Sequence, residues 1–525
     1  MTGNGRFASL SPATGEELAD YPVHGPADVD AAVDDAREAA RGWARAGWKG
    51  RRAALLAFKR ALATRTGEIA EVVAAETGKT DHDARSEVLL AVIHLDWAAR
   101  HARRVLGRRR VSSGMLSAHQ RALLAYRPLG VVGVIGPWNY PVHTPMGSIG
   151  YALAAGNGVV FKPSELTPGT GVLLSRVWSE TLPEHANLLC TVTGQGSTGE
   201  ALARSGVDKV AFTGSPGTAR KVAAACAESL TPLVAEGGGK DAVLVGGDLD
   251  DAGLDRAAEA IVWGALSNAG QTCAGVERVY AVASVHEALC ERIVRRARHV
   301  VTGPAELQPT GNGTGNGSGD GSGDGTADVD AGGNDGVHYG PLTLPSQLGI
   351  VERHLKEALG AGARVLLGGP DSVRAPYVHP VVLADVPEDS PLMQEETFGP
   401  LVAVNSVRDL DEAVELANAS RYALGAAVFT GSRRSGEAAA EKLRAGVVSV
   451  GSVLGFAAIP SLPFGGSGES GYGRVHGEEG LRTFAAPHAI TVRRFAPLAD
   501  LTSYATPRAK ASRMVELARR LHTRM

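Results

Sequence analysis

The sequence predicts an α/β protein in which parallel sheets are covered by crossover helices. From Leu129 onward, short Val-rich apolar runs alternate with helical stretches, and most runs end at a glycine, a proline or a small polar residue. Strands that alternate with helices pair in parallel, because each helix returns the chain to the edge where the next strand begins. The 525 residues exceed one compact core, so we expect about two or three domains.

The N-terminal part predicts helices that serve packing. Apolar residues share one face across residues 28–48, and further helical patterns cover about 51–77 and 85–106. Ligands of parallel sheets bind at the carboxyl ends of the strands, so functional residues are expected just after each strand. Five apolar runs predict such strands, at 131–135, 159–161, 188–192, 210–212 and 242–245.

Two segments depart from this pattern. A second α/β stretch, about 254–453, is interrupted at 310–336 by a run of nearly all Gly, Asn, Asp, Ser and Thr. This segment cannot bury enough apolar surface to offset the entropy lost on ordering, which predicts a disordered surface loop. Cation binding by its aspartates is the alternative. Residues 507–525 predict a basic helix docked on the body or on a partner subunit, with a membrane-surface helix as the alternative. Its apolar side consists of Met514, Leu517, Leu521 and Met525.

The composition excludes several classes of protein. The formal net charge of −3 gives no strong field for nucleic acid or an anionic membrane. We find no run of about 18 apolar residues and no signal-peptide core, and therefore expect no integral membrane segment and a cytoplasmic location. The four cysteines form no CxxC pair and no Cys/His group with zinc spacing, which predicts a reducing compartment and no metal site.

Cys273 is the candidate nucleophile. It ends Asn-Ala-Gly-Gln-Thr-Cys (268–273), a small polar segment between a helical pattern and the apolar run 276–282. This context predicts an exposed turn on which a thiolate can be reached. The other cysteines, Cys190, Cys226 and Cys290, lie in apolar strands or Ala-rich helices and are interpreted as inert.

Two further residues have side chains suited to acid–base and oxyanion chemistry. Glu236 is followed by three glycines, so its carboxylate is predicted on flexible backbone beside open space, with a plain surface turn as the alternative. Asn139 lies in Pro-Trp-Asn-Tyr-Pro directly after the 131–135 run. Its amide can donate to an oxyanion, or it caps a proline-rich turn.

Polar residues follow two more of the predicted strands. Lys162 and Glu165 come directly after the 159–161 run, where they can reach ribose hydroxyls or remain solvated. Gly214 and Ser215 precede a helix of about 217–228, which predicts a phosphate site at the helix start, or an ordinary N-cap. The common GxGxxG fingerprint is absent after the first strand.

The order and spacing of these motifs resemble the aldehyde dehydrogenase superfamily over about residues 7–494. The resemblance implies a hydrolytic, NAD(P)⁺-dependent oxidation of an aldehyde to a carboxylic acid. It implies that Cys273 forms a thiohemiacetal and then a thioester, that Asn139 and the Cys273 N–H hold the oxyanion, and that Glu236 activates water. The matching segments are 137–141, 162–165, 212–215, 236–240, 270–273, 395–400 and 463–474.

The resemblance also implies a set of cofactor contacts. Lys162 and Glu165 match the adenosine-ribose contacts, and Ser215 matches a pyrophosphate contact. Lys162 is also counted among the catalytic residues. NAD⁺ is expected over NADP⁺, because the Glu165 charge repels a 2′-phosphate. The full implied set is Ile135, Trp138, Lys162, Glu165, Gly214, Ser215, Glu396 and Phe398.

The family fold implies a domain plan. A Rossmann-type cofactor domain would comprise 1–108 and 128–239, and an α/β catalytic domain 240–465. A small β oligomerisation arm would comprise 109–127 and 483–497, followed by a basic helical tail at 498–525, in a homodimer or homotetramer.

One departure and two alternatives accompany the resemblance. Gly237 stands where the family usually has Leu, which predicts a looser loop around Glu236. The alternatives are a CoA-acylating semialdehyde dehydrogenase, which needs no base at position 236, and an inactive cofactor-binding structural or interaction protein. Aliphatic, aromatic and semialdehyde substrates all stay open.

Overall fold

The computed structural model describes residues 5–114, 117–303, 336–497, 500 and 503–523. The predicted disordered insert at 310–336 therefore lies outside the described residues, apart from Gly336. No helix in these ranges is long and apolar enough to cross a membrane.

The strands are numbered in chain order. They are β1 (Arg6–Leu10), β2 (Glu17–Pro22), β3 (Arg109–Val111), β4 (Gln120–Pro128), β5 (Val131–Ile135), β6 (Gly158–Lys162), β7 (Leu189–Thr191), β8 (Lys209–Thr213), β9 (Leu233–Glu236), β10 (Asp241–Val245), β11 (Val276–Val282), β12 (Arg364–Leu367), β13 (Val373–Arg374), β14 (Tyr377–Val378), β15 (Val381–Ala384), β16 (Leu401–Val407), β17 (Tyr422–Ala423), β18 (Gly425–Phe429), β19 (Val447–Val450), β20 (Ser467–Gly468), β21 (Gly471–Tyr472) and β22 (Ala485–Arg493).

The helices are numbered in the same way. They are α1 (Pro26–Thr64), α2 (Thr66–Thr77), α3 (Asp81–Leu106), α4 (His143–Ala155), α5 (Pro168–Thr181), α6 (Gly196–Arg204), α7 (Pro216–Glu228), α8 (Asp251–Leu266), α9 (His286–Ala297), α10 (Ser346–Gly360), α11 (Pro391–Gln394), α12 (Leu410–Asn418), α13 (Arg433–Lys442), α14 (Gly477–Thr483) and α15 (Arg508–His522).

The first large sheet has six strands in the order β21-β9-β8-β5-β6-β7. Five strands, β9, β8, β5, β6 and β7, are parallel to one another, and the edge strand β21 pairs antiparallel with β9. The chain reverses its direction of travel across the sheet between β5 and β8. The crevice above such a switch point, at the carboxyl ends of the strands, is where ligands of open α/β sheets bind.

The helices of the N-terminal part pack on this sheet as their apolar faces predict. Val29, Val33 and Trp43 of α1 are buried. Gly47 interrupts α1 with φ of 65°, close to the predicted end of the first helix at residue 48. The continuous helix predicted over 51–77 was wrong, because it divides at Arg65 and α2 begins at Thr66.

The second large sheet has seven strands in the order β12-β15-β16-β11-β10-β18-β19. Its strands are parallel except β12 at the edge. Side chains of β10, β11 and β16 are almost all buried, because helices cover both faces of the sheet.

The remaining elements lie outside the two large sheets. β22, β4 and β3 form a separate antiparallel sheet, with nine paired positions between β22 and β4. The predicted C-terminal helix is present as α15, but none of its residues is buried, so docking on the body of its own chain was wrong. The domain boundaries and the oligomeric state stay predictions.

Candidate active site

A cavity of about 880 Å³ opens at the carboxyl ends of β5, β6 and β8 and extends to the loop that carries Cys273. Its walls come from both large sheets and the loops that follow their strands. The eight residues that the sequence singled out for cofactor contact all line it: Ile135, Trp138, Lys162, Glu165, Gly214, Ser215, Glu396 and Phe398.

The starts of two helices face this cavity. Gly196 and Gly199 of α6 and Thr218 of α7 line it together with Ser215. Ser215 is the N-cap of α7, where its hydroxyl accepts a hydrogen bond from the Thr218 N–H at 3.3 Å. Free N–H groups at helix starts, together with the helix dipole, stabilise phosphate charge. The N-cap interpretation is therefore correct and leaves a phosphate site possible at the same place.

Lys162 and Glu165 form the polar wall at the end of β6. The Lys162 ammonium donates to the carbonyl of Pro163 at 3.0 Å and lies 3.5 Å from the Glu165 carboxylate. Burial lowers the pKa of Lys162, while Glu165 is about half exposed. Glu165 thus presents a solvated acceptor at the cavity, and Lys162 is held in the wall behind it.

Two aromatic rings meet near the catalytic end. Trp138 and Phe398 lie edge to face, with ring centroids 5.5 Å apart. Phe398 has a left-handed φ of 51°, which is unusual for an aromatic residue. The Glu277 carboxylate accepts hydrogen bonds from the Phe398 N–H at 2.9 Å and from the Thr397 N–H, and these bonds hold the strained backbone in place.

Glu396 reaches the same end of the cavity. Its carboxylate accepts from the N–H of Gly239 at 3.0 Å. A side chain at Gly238 would collide with both carboxylate oxygens, so the glycine is required for this approach. Burial raises the pKa of Glu396 to about 8, with the nearby Glu277 charge adding to the effect.

The loop that carries Cys273 is built from strained backbone. Asn268 and Ala269 have left-handed φ angles of 54° and 56°, followed by Gly270 at 73°. A side chain at Gly270 would collide with the carbonyl of Gly399, so only glycine fits there. Consecutive left-handed residues cost free energy and persist where the surroundings fix them, which is typical of functional loops.

Asn139 is tied to this loop. Its side-chain amide donates to the carbonyl of Gln271 at 2.9 Å, and Asn268 in turn donates to the Asn139 carbonyl at 3.2 Å. Both Asn139 and Cys273 line the cavity. The amide has two N–H bonds, and among the described contacts only one of them is used within the protein.

The Cys273 thiol is more enclosed than the sequence indicated. Cys273 lies in a turn and lines the cavity as predicted, but it is only partly exposed, and Thr272 and Ala274 on either side of it are buried. Burial raises the pKa of Cys273 above its ordinary value, and the charges of Glu236, Asp241 and Glu396 raise it further. Cys273 packs against an apolar wall of Ala274, Leu424, Val447 and Phe456, and Leu454, Ala457 and Phe464 pack against the same wall.

Glu236 differs most from its prediction. It is the last residue of β9, is 5% exposed, and is not among the residues that line the cavity, whereas Gly237 and Gly238 are. One carboxylate oxygen accepts from the Thr213 hydroxyl at 3.3 Å and the other has no partner. Burial raises the pKa of Glu236 to about 8. The group is close enough for its charge to act on the Cys273 thiol.

The loop after Glu236 is clamped, not loose as Gly237 predicted. The Gly237 N–H donates to the Ser470 carbonyl at 3.0 Å, and the Ser470 hydroxyl donates to the Gly238 carbonyl at 2.7 Å. A side chain at Gly237 would collide with the carbonyl of Glu469. The glycine therefore permits a close approach of two chain segments.

Sequence reasoning missed the buried ion pair beneath the site. Lys240 and Glu277 are both buried and form a short ion pair, and Arg278 donates to the Lys240 carbonyl at 2.7 Å and 3.0 Å. The available signal was an acid and a base inside the apolar run Val276–Val282, where charges are expected to be partnered.

The fold and the cavity together define an α/β protein of the dinucleotide-binding class with a cysteine at the end of its cleft. Comparison with known proteins gives the family. The aldehyde dehydrogenase family profile matches residues 1–490. A Mycobacterium ulcerans protein, provisionally named succinate-semialdehyde dehydrogenase [NADP(+)] 2, is 33% identical over 486 residues, 92% of this chain and 87% of that one.

Two further proteins are similar over nearly the whole chain. The 4,4'-diapolycopene aldehyde oxidase of a Methylomonas species is 34% identical over 92% of this chain and 84% of its own. The crystal structure of an NAD-dependent aldehyde dehydrogenase from Sinorhizobium meliloti superposes with a TM-score of 0.84 at 29% identity, covering 96% of this chain and 93% of that one.

The chain belongs to the aldehyde dehydrogenase family. It is an NAD(P)⁺-dependent oxidoreductase that acts on aldehydes, and its predicted family and fold class are confirmed.

Proposed function

We propose that the enzyme oxidises an aldehyde to a carboxylic acid through a thioester on Cys273. The observation that carries this proposal is that the cavity lined by the eight predicted cofactor residues is also lined by Cys273 and Asn139. The sulfur attacks the aldehyde carbon, a C–S bond forms, and the carbonyl oxygen becomes negatively charged. We propose that the second N–H of Asn139 and the Cys273 N–H donate to that oxygen.

The cavity fits a nicotinamide dinucleotide. The helix starts at Gly196 and Ser215 suit a pyrophosphate, Glu165 suits a ribose, and Trp138 and Phe398 flank the end nearest Cys273. When bound, the oxidised nicotinamide supplies the hydride acceptor for the oxidation. The chain's own residues hold the thiol and the amide in place beside it.

Glu236 is proposed as the base that hydrolyses the thioester. Its raised pKa of about 8 suits proton transfer near neutral pH. Water donates a proton to the carboxylate as its oxygen attacks the acyl carbon, the C–S bond breaks, and the sulfur leaves with the electron pair as a thiolate, which then takes up a proton. Because the carboxylate lies against Thr213, outside the cavity lining, we propose that it rotates toward Cys273 for this step.

The base also separates the proposal from the alternatives. A CoA-acylating enzyme has no use for a carboxylate held beside the thiol, and an inactive binding protein has no use for a strained loop that presents Cys273 and Asn139 to the cavity. Both observations favour the hydrolytic enzyme.

NAD⁺ is the proposed cofactor. Glu165 lies at the cavity with its carboxylate half exposed, and its charge repels a 2′-phosphate. The only cation within 4 Å of it among the described residues is Lys162, which is itself directed to the Pro163 carbonyl. The name of the mycobacterial relative specifies NADP⁺, so kinetics with both cofactors provide the test.

We propose an apolar aldehyde as the substrate. Cys273 packs against an apolar wall that includes Leu424, Val447 and Phe456, and the charged groups that act on the thiol are the carboxylates of Glu236, Asp241 and Glu396. In their ionised forms these carboxylates repel a negatively charged semialdehyde. An apolar aldehyde should therefore show a higher kcat/KM than succinic semialdehyde, and the reverse order would contradict the proposal.

The three-stranded sheet β22-β4-β3 is proposed as the oligomerisation arm of a homodimer or homotetramer. Its edge strand β3 is exposed over its whole length, and unpaired strand edges are prone to pair with another chain. The cofactor and catalytic domains are proposed as the units built on the two large sheets, at the boundaries given above. Analytical ultracentrifugation gives the oligomeric state.

Trapping the acyl-enzyme tests the chemical proposal. Glu236→Gln should release about one equivalent of reduced cofactor per chain and then stop, because acylation proceeds without the base and hydrolysis does not. Intact-protein mass spectrometry should show Cys273 carrying the acyl group. Cys273→Ser should give neither signal, and Cys190→Ser, which changes a cysteine distant from the cavity, should behave as wild type. Steady turnover by Cys273→Ser would overturn the proposal.

A further inference from the structure

Three histidines from distant parts of the chain meet in a cluster that the catalytic site does not use. His94 lies in α3, His143 is the first residue of α4, and His476 is the N-cap of α14. Each offers one ring nitrogen, and these three atoms lie within 4.8 Å of one another. His94 and His476 are buried and His143 is partly exposed, which leaves a route for a small ion.

Each histidine has a buried nitrogen without a partner. They are Nδ1 of His94, Nδ1 of His143 and Nε2 of His476. Buried polar atoms nearly always find a partner, so three orphans in one cluster indicate that a ligand completes it.

The surroundings fix the geometry of the cluster. Nε2 of His94 lies 2.8 Å from the carbonyl of Ala457; a carbonyl only accepts, so this nitrogen carries the proton and Nδ1 has the lone pair. Metal-binding histidines usually donate their second N–H in this way. A side chain at Gly147 would collide with Nε2 of His476, so this glycine of α4 makes the space that His476 occupies.

We propose that His94, His143 and His476 bind a first-row transition-metal ion of the zinc class. Zinc binds imidazole nitrogen at about 2.0–2.1 Å, so the three nitrogens, which now lie within 4.8 Å of one another, would move closer together around the ion. Neutral imidazoles suit Zn²⁺ over Mg²⁺ and Ca²⁺, which prefer oxygen ligands. The nearest charged side chains, Lys79 and Glu87, are buried and paired with each other and add no net charge.

The ion would join three elements that are far apart in sequence. It would link α3 and α4 to the segment that leads into α14, and this segment follows the Ser470 clamp on the Glu236 loop. The cluster also adjoins the apolar wall beside Cys273, since Ala457 and Phe464 of that wall contact His94 and His476. The site is separate from the catalytic residues, and its failure would leave the proposed function intact.

Zinc binding to the full chain tests the proposal. The protein carries Cys273→Ser, so that the catalytic thiol cannot bind the ion, and is treated with a chelator before titration with Zn²⁺. One equivalent should bind per chain and raise the Tm. His143→Gln and His476→Asn should each weaken binding by more than the roughly 10- to 100-fold that the loss of an outer partner costs. Asn is chosen at position 476 because it keeps a polar side chain in place of the imidazole; the backbone there has φ of 59° and ψ of 169°.

The controls separate a specific site from chance binding. His299→Gln removes an exposed histidine and should leave zinc affinity unchanged. Co²⁺ bound to the Cys273→Ser chain should show tetrahedral d–d absorption without a thiolate charge-transfer band. A thiolate band, absence of stoichiometric binding, or equal affinity in His143→Gln and the parent would overturn the proposal. Cofactor binding by each zinc-free variant verifies its folding, and if one variant is unfolded the other decides.

Discussion

The side-chain amide of Asn139 donates a 2.9 Å hydrogen bond to the backbone carbonyl of Gln271, two residues before Cys273. The bond joins the turn after β5 to the strained loop of the nucleophile. One amide group therefore positions the cysteine loop and keeps a second N–H for the proposed oxyanion contact.

Removal of that amide should impair the chemical step. Asn139→Ala should lower kcat by about 10²–10³-fold, the usual cost of losing an oxyanion donor. Steady-state kinetics give kcat, and cofactor titration provides the control, because Asn139 is not among the proposed ribose or phosphate contacts. A kcat within a few-fold of wild type would contradict the role of Asn139.

Activity should rise with pH as Glu236 ionises. Burial raises its pKa to about 8, so at pH 7 most of the carboxylate is protonated and cannot accept a proton from water. We expect kcat to increase through about pH 8 and then level off when hydrolysis is rate-limiting. In Glu236→Gln the residual kcat should no longer rise with pH over this range. A wild-type profile that is flat between pH 6 and 9 would disagree with this assignment.

The same shift makes a prediction for stability. Glu236 ionises near 4.5 when unfolded and near 8 when folded, so the folded state binds the proton more tightly. Stability should fall as pH rises between these values, by at most about 1.4 kcal/mol per pH unit. Glu236→Gln should be more stable than wild type at pH 8 and similar at pH 4, as measured by urea unfolding. Equal stability at pH 8 would argue against a buried carboxylate.

The buried pair Lys240–Glu277 should contribute far more to stability than an exposed pair. Glu277→Gln leaves the Lys240 ammonium without its counter-ion and weakens the bonds to Thr397 and Phe398. We expect a loss of about 3–5 kcal/mol in denaturant unfolding. Glu287→Gln, which breaks the exposed pair with Arg364, is the matched control and should cost about 0–1 kcal/mol. Similar losses of unfolding free energy in the two variants would show that the buried pair contributes no more to stability than the exposed pair.

Restoring the leucine that the family usually has at position 237 should destabilise this enzyme. The new side chain would collide with the Glu469 carbonyl and displace the segment that clamps the Glu236 loop. We expect Gly237→Leu to cost about 1–3 kcal/mol and to lower kcat. Gly349→Ala, in α10 where a Cβ meets nothing within 4 Å, should instead be neutral or stabilising by up to about 1 kcal/mol. A stabilised Gly237→Leu would show that the segment moves aside freely.

Cofactor preference should depend on Glu165. Glu165→Gln removes the charge that faces a 2′-phosphate and should raise kcat/KM with NADP⁺ relative to NAD⁺ by about tenfold, equivalent to roughly 1.4 kcal/mol. Glu200→Gln, at an exposed position that also lines the cavity, is the control for a general change in charge. An equal ratio in the wild type and Glu165→Gln would remove the basis for the NAD⁺ proposal.

The sequence by itself determined the strands, the crossover helices and the residues that follow them. Lys162, Glu165, Gly214 and Ser215 could be singled out because each follows its own apolar run, and chain order then places them at one edge of a sheet. In motifs of this kind the strand and the functional residues are adjacent in the sequence, so their relative placement can be predicted from it.

Only the tertiary structure decided which groups are buried and which distant groups meet. The depth of Glu236, the close approach at Gly237, the Lys240–Glu277 pair under Phe398 and the meeting of His94 with His143 and His476 all depend on segments far apart in the chain. The physical reason is that burial and pKa are set by every atom packed around a group, and a local run of residues specifies only its neighbours along the backbone.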